Sequence, residues 1–206
     1  MARCHRRRGT SLPDATGIVL AGGRSTRFGR DKLAEPYRGM PLLHHVVLRL
    51  AEVCDDVVVV IAPDAEEPPL PLGAPASIVR DAREGEGPLA GAYTGLSAVR
   101  TELALLAGGD MPELQMPVLL ELLRVAGEAP VEAVVLANGE RFRPLPAVLR
   151  VASARDAAHA LLDSGRRRLR DLLDALRVAI VDEDTWHALD PQRRTLFDVD
   201  EPADLA

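Results

Sequence analysis

The sequence predicts an α/β protein with a single doubly wound, Rossmann-like domain and a mostly parallel sheet. Apolar runs of strand length alternate along the chain with amphipathic stretches of helical spacing, a pattern typical of parallel sheets with helices on both faces. Two of the apolar runs end in paired glycines, Gly22-Gly23 and Gly108-Gly109. The chain has 206 residues, which is enough for one domain to bury a full core without disulfides.

Each predicted element has a local signal. The first strand, 17–21, is a short apolar run before two glycines, and strand 57–62 is a run of β-branched residues. Pro41 opens a helix over 41–53, where leucine and valine recur at helical spacing. The prolines of segment 63–75 predict a loop. By the same criteria we expect strands at 77–80, 103–107, 132–136, 145–149, 178–181 and 195–199, helices at 91–101, 117–126, 151–162 and 169–176, and a terminal turn or helix from Pro202.

Composition and charge exclude several classes of protein. The net charge is −6 and aromatic residues make up 3%, which argues against nucleic-acid binding. No apolar run approaches the roughly 18 residues of a membrane helix, and the N-terminus lacks the apolar segment of a secretory signal. The two cysteines, Cys4 and Cys54, do not form a disulfide framework, so we expect a cytoplasmic protein that binds neither nucleic acid nor a membrane. Residues 1–15, with four arginines among the first eight, are expected to form a flexible basic arm.

The loop after the first strand is the first candidate site, because ligands of doubly wound sheets bind beyond the carboxyl ends of the strands. It begins with Leu20-Ala21-Gly22-Gly23 and continues to Lys32. Adjacent glycines allow backbone N–H groups to approach phosphate oxygens, and Arg27 and Lys32 supply positive charge for a polyphosphate. A glycine turn beside solvated cations is the alternative. The loop matches neither the dinucleotide-binding nor the Walker glycine pattern.

Four segments, taken in order, resemble one family. The loop 20–32 is similar to Leu-Ala-Gly-Gly-x-Ser-x-Arg-x-Gly-x-Asp-Lys, with Phe28 where Met is usual. Segment 81–91 is similar to an Asp followed by Gly-Pro-Leu-Ala-Gly, and 109–112 to an Asp-x-Pro motif. Segment 198–205 is similar to Asn-x-Asn-Thr-Pro-Glu-Glu-Leu. Together they resemble the MobA-like nucleotidyltransferases, the molybdenum cofactor guanylyltransferases, from about Gly17 to Leu205.

This resemblance implies a function, a cofactor and a set of site residues. A family member is expected to transfer GMP from GTP to the phosphate of molybdenum-bound molybdopterin, with Mg²⁺ as cofactor, on a fold of the nucleotide-diphospho-sugar transferase type. Lys32, Arg27 and Asp110 would be catalytic, and Asp110 and Asp200 would hold the metal. The nucleotide would contact residues of the first three segments, namely Leu20, Ala21, Gly22, Gly23, Lys32, Asp81, Gly87, Pro88, Leu89, Gly91 and Asp110. Molybdoenzymes or their chaperones would be transient partners.

The domain at 16–206 is expected to bind the nucleotide with residues from about 16 to 112 and the acceptor with residues from about 113 to 206. Segment 138–148 is similar to a hairpin at the family's acceptor pocket, although Asn138-Gly139 is a hairpin turn by its own chemistry. The run Gly165-Arg166-Arg167-Arg168 would suit an acceptor phosphate or form a solvated helix start.

Several alternatives stay open. Asp110 could cap a helix or form an Asx turn, and Asp200 could cap the terminal turn. Asp198 and Asp200 replace family asparagines, and Ile61-Ala62-Pro63 stands where guanylyltransferases carry Asn-Ala-Asn, so a cytidylyltransferase is an alternative. A sugar-phosphate nucleotidylyltransferase and a non-catalytic subunit that delivers nucleotide or cofactor are two more. The histidines have structural interpretations, and Cys54 is predicted to lie in the core.

Overall fold

A seven-stranded sheet forms the centre of the computed structural model, which describes residues 13–22, 32–82 and 87–205. The strands of this sheet are β1 (Ala15–Leu20), β4 (Asp56–Ile61), β5 (Ala76–Arg80), β6 (Leu103–Gly108), β7 (Ala133–Asn138), β8 (Arg141–Arg150) and β9 (Val178–Val181). A separate small hairpin consists of β2 (Pro36–Tyr37) and β3 (Met40–Pro41). The order across the large sheet is β5-β4-β1-β6-β8-β7-β9, and only the pairs that involve β8 are antiparallel.

Helices cover both faces of this sheet. They are α1 (Leu42–Ala51), α2 (Gly87–Ala98), α3 (Met116–Glu128), α4 (Val151–Asp163), α5 (Leu169–Asp174) and α6 (Glu183–Leu189). Helices α1, α3 and α6 contribute buried side chains to the core on one face, and α2, α4 and α5 contribute to the core on the other. The predicted doubly wound, mostly parallel α/β fold is therefore confirmed. Cys54 is buried in the first of these cores, as predicted.

The central strands position the candidate site. All six residues of β6 are buried, because this strand is covered on both faces, and its sequence is accordingly a continuous apolar run. Leu20 of β1 lies beside Gly108 of β6, so both strands end at the same edge. Antiparallel pairing of β8 with β6, from Leu103 beside Arg150 onward, joins the second half of the chain to this sheet.

The predicted strand at 195–199 is wrong. A short 3-10 helix occupies Arg194–Leu196 instead. The Thr195 N–H donates to the Asp190 carboxylate at 2.7 Å, and the Val199 N–H donates to the Asp110 carbonyl at 2.9 Å. These bonds tie the segment to a turn and to the end of β6, so its backbone groups are not available for a strand ladder.

Two elements appear that the sequence pattern did not indicate: the β2–β3 hairpin and helix α6, which Asp182 caps by accepting from the Thr185 N–H at 2.8 Å. Helix α2 begins at Gly87, four residues before its predicted start at 91. Strand β1 begins at Ala15, the last residue of the predicted arm, and residues 1–12 lie outside the described residues. None of the helices in the described ranges is long and apolar enough to cross a membrane.

Candidate active site at the carboxyl edge of the sheet

Three segments that are distant in sequence meet beyond the ends of β1 and β6. Lys32 begins a short 3-10 helix, and its Nζ donates to Asp110 Oδ2 at 2.7 Å and to the carbonyl of Val199 at 3.0 Å. The backbones at Asp110 and Val199 are linked as well, because the Val199 N–H donates to the Asp110 carbonyl. The side chains of Lys32 and Asp110 are 18% and 29% exposed. A charged pair therefore lies at the sheet edge, partly shielded from water but accessible to a ligand.

Arg143 of β8 and Asp198 form an ion pair beside this cluster. Burial raises the pKa of the Asp198 carboxyl above its ordinary value, and the charge of Arg143 only partly offsets this effect. The neighbouring charges of Asp110 and Asp200 raise the pKa of Asp198 further. Asp198 therefore lies within electrostatic reach of both Asp110 and Asp200, and Lys32 and Arg143 supply positive charge to Asp110 and Asp198.

Asp81 follows β5 at the same edge. Its N–H donates to the Ile61 carbonyl at 2.9 Å, and its Oδ1 accepts from the Thr94 hydroxyl at 2.9 Å and from the Ala82 N–H at 2.8 Å. Helix α2 approaches β1 closely here, because a Cβ placed on Gly91 would lie 3.4 Å from the Leu20 side chain and 4.0 Å from Asp81 Oδ2. The structure thus brings together Leu20, Asp81 and Gly91, three of the predicted nucleotide contacts.

The start of α2 contacts the arginine-rich segment of the second half. Gly87 has φ +78°, a conformation that glycine adopts readily, and a Cβ at this position would lie 2.9 Å from the Arg167 carbonyl oxygen. The Leu89 N–H donates to the same carbonyl at 3.2 Å. The sequence did not indicate this contact, since Gly87 and Arg167 are linked only through the tertiary structure.

A cleft of about 390 Å³ opens between the two halves of the chain. Its lining combines apolar side chains with carboxylates and arginines: Pro88, Asp110, Met111, Arg143, Pro144, Leu145, Arg168, Leu169, Arg170 and Asp198. Arg170 is held by the Phe142 carbonyl at 2.9 Å and stacks over the Phe142 ring. Arg168 is exposed. The cleft therefore suits a ligand with an apolar body and an anionic group.

A larger cavity of about 630 Å³ lies at the opposite edge, near the amino ends of β4 and β5, with Thr16, Ser77 and Arg100 in its lining. Of the predicted site residues that the structure describes, none lines it. Size alone does not identify the site, because the chemistry of this fold is at the carboxyl edge.

The remaining predicted site residues are Ala21, Gly22, Gly23, Arg27 and Asp200. Ala21 and Gly22 continue from β1, and the Ala21 N–H donates to the Val60 carbonyl at 2.8 Å. Gly23 and Arg27 lie outside the described residues. Asp200 is exposed, and the carboxylate that accepts the N–H groups of Asp200 and Glu201 belongs to Asp204. Within the described ranges, no group of three or more His, Cys, Asp or Glu side chains could hold a metal ion.

The four histidines that the structure describes lie in structural contacts. Nε2 of His44 contacts the Pro69 carbonyl at 2.8 Å, and Nε2 of His45 contacts the Tyr37 carbonyl at 2.7 Å. His159 faces Asp163 and the Tyr93 ring, and His187 packs against Trp186. None of these contacts involves a residue of the Lys32–Asp110 cluster.

Comparison with known proteins adds independent findings. Residues 17–180 match the family model described as the MobA-like NTP transferase domain. A relative from Chloroflexus aggregans, named probable molybdenum cofactor guanylyltransferase, is 35% identical over 92% of this chain and 91% of its own length. A relative of the same name from Natronomonas pharaonis is 34% identical over 94% of this chain and 96% of its own length.

Solved structures support the fold. The molybdopterin-guanine dinucleotide biosynthesis protein A of Archaeoglobus fulgidus has a TM-score of 0.75 at 23% identity, with 92% of this chain and 94% of that chain covered. The 2-C-methyl-D-erythritol 4-phosphate cytidylyltransferase of Thermus thermophilus has a TM-score of 0.66 at 18% identity, with 91% and 94% covered. At these identities the likeness concerns the fold, which is that of the nucleotide-diphospho-sugar transferases.

Proposed function

The chain belongs to the family of MobA-like NTP transferases, and from this we propose that it transfers GMP from GTP to the phosphate of molybdenum-bound molybdopterin. The names of its relatives support this activity, and the observation that carries it is the convergence of Lys32, Asp110 and Val199 at the carboxyl edge of the sheet. Residues from about 16 to 112 would bind the nucleotide and those from about 113 to 206 the acceptor. A cytoplasmic location and transient contact with molybdoenzymes or their chaperones stay predictions from the sequence.

The proposed reaction is an in-line displacement. An oxygen of the acceptor phosphate attacks the α-phosphorus of GTP, a new P–O bond forms, and the bond to pyrophosphate breaks. An ionised phosphate is already a nucleophile, so no general base is needed, and catalysis depends on positioning and on charge stabilisation. Lys32 and Arg27 would stabilise the charge that develops on pyrophosphate. Asp81 and Gly87 to Gly91 would contact the nucleotide.

The candidate donors for a hard divalent cation at this edge are a pair of carboxylates, Asp110 and Asp200. Carboxylate oxygens are the ligands that Mg²⁺ prefers in phosphate sites, and the charges of Asp110 and Asp200 both act on the neighbouring Asp198. Asp110 and Asp200 would hold the ion, and Asp198 is already paired with Arg143. When bound, Mg²⁺ supplies charge neutralisation on phosphate oxygens.

The cleft between the halves would receive the acceptor. Leu145 and Leu169 offer an apolar surface for a flat heterocycle, and Arg143 and Arg168 offer positive charge for its phosphate. Since Asp110 lines the same cleft, an acceptor bound there would face the nucleotide-binding residues.

Pyrophosphate release with each of the four nucleoside triphosphates, with and without molybdopterin, tests the proposal. We expect release with GTP that requires both molybdopterin and Mg²⁺, and a loss of orders of magnitude in Asp110→Asn, which keeps the shape of the side chain but removes its charge. Turnover of Asp110→Asn near the wild-type rate at limiting Mg²⁺ would contradict the metal assignment.

Cytidylyl transfer is the second candidate, because Ile61-Ala62-Pro63 and the acidic Asp198 depart from the guanylyl pattern. The same assay separates the two, as does calorimetry of GTP and CTP binding. Guanine presents a donor edge and an O6 acceptor. A site built for these groups rejects cytosine, because the polar groups of the site would then be left unpaired. CTP binding as tight as GTP binding would favour the second candidate.

A further inference from the structure

Glu113 is a buried carboxylate that the proposed mechanism does not use. It lies three residues after Asp110 in the same loop, and its side chain is only 8% exposed. Its Oε1 accepts a hydrogen bond from the Tyr37 hydroxyl and pairs with Arg38 at 2.5 Å. Its Oε2 accepts from Arg194 at 3.0 Å. Both carboxylate oxygens are therefore satisfied by long-range partners.

These partners belong to the segments that meet at the candidate site. Tyr37 and Arg38 lie in the β2–β3 hairpin, which follows Lys32 after a few residues. Arg194 opens the short 3-10 helix that leads to Val199, the backbone acceptor of Lys32. Glu113 itself follows Asp110. One carboxylate thus connects the three segments that carry the Lys32–Asp110–Val199 cluster.

The connection to the last segment has further bonds. The Gln115 N–H donates to the Thr195 hydroxyl at 3.3 Å, and the Val199 N–H donates to the Asp110 carbonyl at 2.9 Å. Within the loop itself, the Gln115 side-chain amide donates to the Glu113 carbonyl at 2.7 Å. Thr195 is fully buried. The loop after β6 and the segment 194–199 are therefore held together on both sides of Glu113.

This arrangement is energetically demanding. A buried carboxylate is destabilising unless it is fully paired, and apolar side chains of similar volume could fill the same space. Arg38 adopts φ +45°, in the left-handed region that non-glycine residues rarely occupy. Burial raises the pKa of Tyr37, and the hydrogen bond to Glu113 raises it further, so the phenol stays protonated and donates. Such a network fixes geometry more than it adds stability.

We propose that Glu113 is a positioning residue: by binding Tyr37, Arg38 and Arg194 it holds Lys32 and Val199 in register with Asp110 for nucleotidyl transfer. The inference rests on the proposed function. A misplacement of about 1 Å in a reacting constellation lowers the rate by on the order of 100-fold. Loss of the Glu113 charge should therefore reduce kcat while leaving GTP binding largely intact, because most of the predicted nucleotide contacts lie in the glycine loop after β1 and at the start of α2, away from Glu113.

The kinetic test compares Glu113→Gln, Arg194→Gln and the double variant with Glu121→Gln. Glu121 pairs with Arg124 at 2.6 Å on the surface of α3, so it is a matched control that removes an ion pair away from the site. We expect kcat for pyrophosphate release to fall about 10- to 100-fold in Glu113→Gln, with the KM for GTP within about twofold. Arg194→Gln should show part of this loss, and the double variant should lose no more than Glu113→Gln, because both remove one interaction. An unchanged kcat, or losses that simply add, would overturn the proposal.

A second readout does not depend on turnover. Lys32 is the only lysine of the chain, so acylation of its amine, followed by mass spectrometry of the peptide, reports on this side chain alone. We expect Lys32 to be acylated several-fold faster in Glu113→Gln than in the wild type, because its bonds to Asp110 and Val199 loosen, and at the wild-type rate in Glu121→Gln. Equal rates in Glu113→Gln and the wild type would overturn the positioning role.

The pyrophosphate assay and the Lys32 acylation rates distinguish a failure of the proposed function from a failure of the positioning role of Glu113. If the wild type releases no pyrophosphate from any triphosphate, the proposed function fails, and the acylation rates still decide the role of Glu113. Circular dichroism at the assay temperature must show each variant folded. If Glu113→Gln does not fold, both measurements are made on Arg194→Gln and Tyr37→Phe, which each remove one partner of the carboxylate. We then expect a smaller fall in kcat and a smaller rise in the Lys32 acylation rate.

Discussion

At the scale of single residues, Lys32 is both a predicted catalytic group and a contact between distant segments of the candidate site. Lys32 is the only lysine of the chain, and arginine stands at every other position that carries one of these two residues. An ammonium is a compact charge with three donors, whereas a guanidinium is a planar fork. Two of the three Lys32 N–H groups have partners among the described residues, Asp110 and the Val199 carbonyl. A point charge held at this edge suits charge stabilisation on a leaving group.

Lys32→Ala should therefore lower kcat more than it raises the KM for GTP. Pyrophosphate gains negative charge only as its bond to the α-phosphorus breaks, so an ammonium at this place acts most strongly in the transition state. We expect a loss of about 100-fold or more in kcat, measured by steady-state pyrophosphate release. Arg100→Ala, which removes a cation at the opposite edge of the sheet, serves as the control. A variant with normal kcat and a raised KM would show that Lys32 contributes ground-state binding only.

At the scale of elements, close packing of α2 on the sheet places the predicted nucleotide loop. Gly95 of α2 lies so near β1 that a Cβ there would be 2.5 Å from Ile18 Cγ2 and 3.2 Å from Val60 Cγ2. Both neighbours are β-branched side chains in buried strands, which have little freedom to move aside. Glycine at this position allows the helix to approach β1, and the start of the helix then reaches the site edge.

Gly95→Ala should destabilise the protein although alanine favours helix more than glycine does. Overpacking of a core costs about 1–3 kcal/mol, and the gain in helix propensity of about 1 kcal/mol offsets only part of this. Chemical denaturation should show a net loss of unfolding free energy, and Ser97→Ala, at an exposed position of the same helix, should change it by less than about 0.5 kcal/mol. A gain in stability for Gly95→Ala would mean that α2 shifts without difficulty.

The contribution of the Asp182 N-cap to the stability of helix α6 should depend on pH. Bonds from the Thr185 N–H and hydroxyl lower the pKa of Asp182 below its ordinary value. The folded state therefore favours the carboxylate, and this stabilisation is present above the ordinary pKa of 3.8 and is lost as pH falls through the folded-state pKa. Asp182→Ala should lower the melting temperature at pH 7, and the difference should shrink as the pH is lowered into that range. Asp184→Ala, an exposed acid in the first turn, is the control. A difference that does not change with pH would contradict the assignment.

At the scale of the whole molecule, the two edges of one sheet carry different side chains. The cleft of about 390 Å³ at the carboxyl edge joins Pro88 and Asp110 of the first half to the arginines of the second. The cavity of about 630 Å³ at the amino edge contains Arg100 but no part of the Lys32–Asp110 cluster. An acceptor with an anionic group should therefore respond to charge at one edge only.

Arg168→Glu and Arg100→Glu compare the two edges, because each changes the net charge of the protein equally. Arg168→Glu should raise the KM for the acceptor by tenfold or more, since a carboxylate in the cleft repels the acceptor phosphate, while the KM for GTP changes little. Arg100→Glu should leave both constants within about twofold. Equal effects of the two substitutions on the acceptor would indicate long-range electrostatics rather than a phosphate contact in the cleft.

The fold class, the family and most of the elements could be predicted from the amino-acid sequence. Hydrophobic periodicity is a local property, so β4, β6 and α3 could be predicted within a few residues from their own sequences. The motifs also predicted that Lys32, Asp81 and Asp110 follow strands or loops at one edge, because parallel strands end together. Their catalytic and binding roles stay predictions. Helix α6 was missed because its short sequence lacks an extended apolar repeat.

The contacts between distant segments could not be predicted from the sequence. Lys32 contacts a carbonyl 167 positions away, Arg143 pairs with Asp198, and Glu113 binds residues from two other segments. The predicted strand at 195–199 failed for the same reason, since the Val199 N–H is bound to Asp110 rather than to a neighbouring strand. Local propensity specifies the conformation of a segment, but a hydrogen bond between segments depends on how the whole sheet brings them together, and no spacing within one sequence encodes that distance.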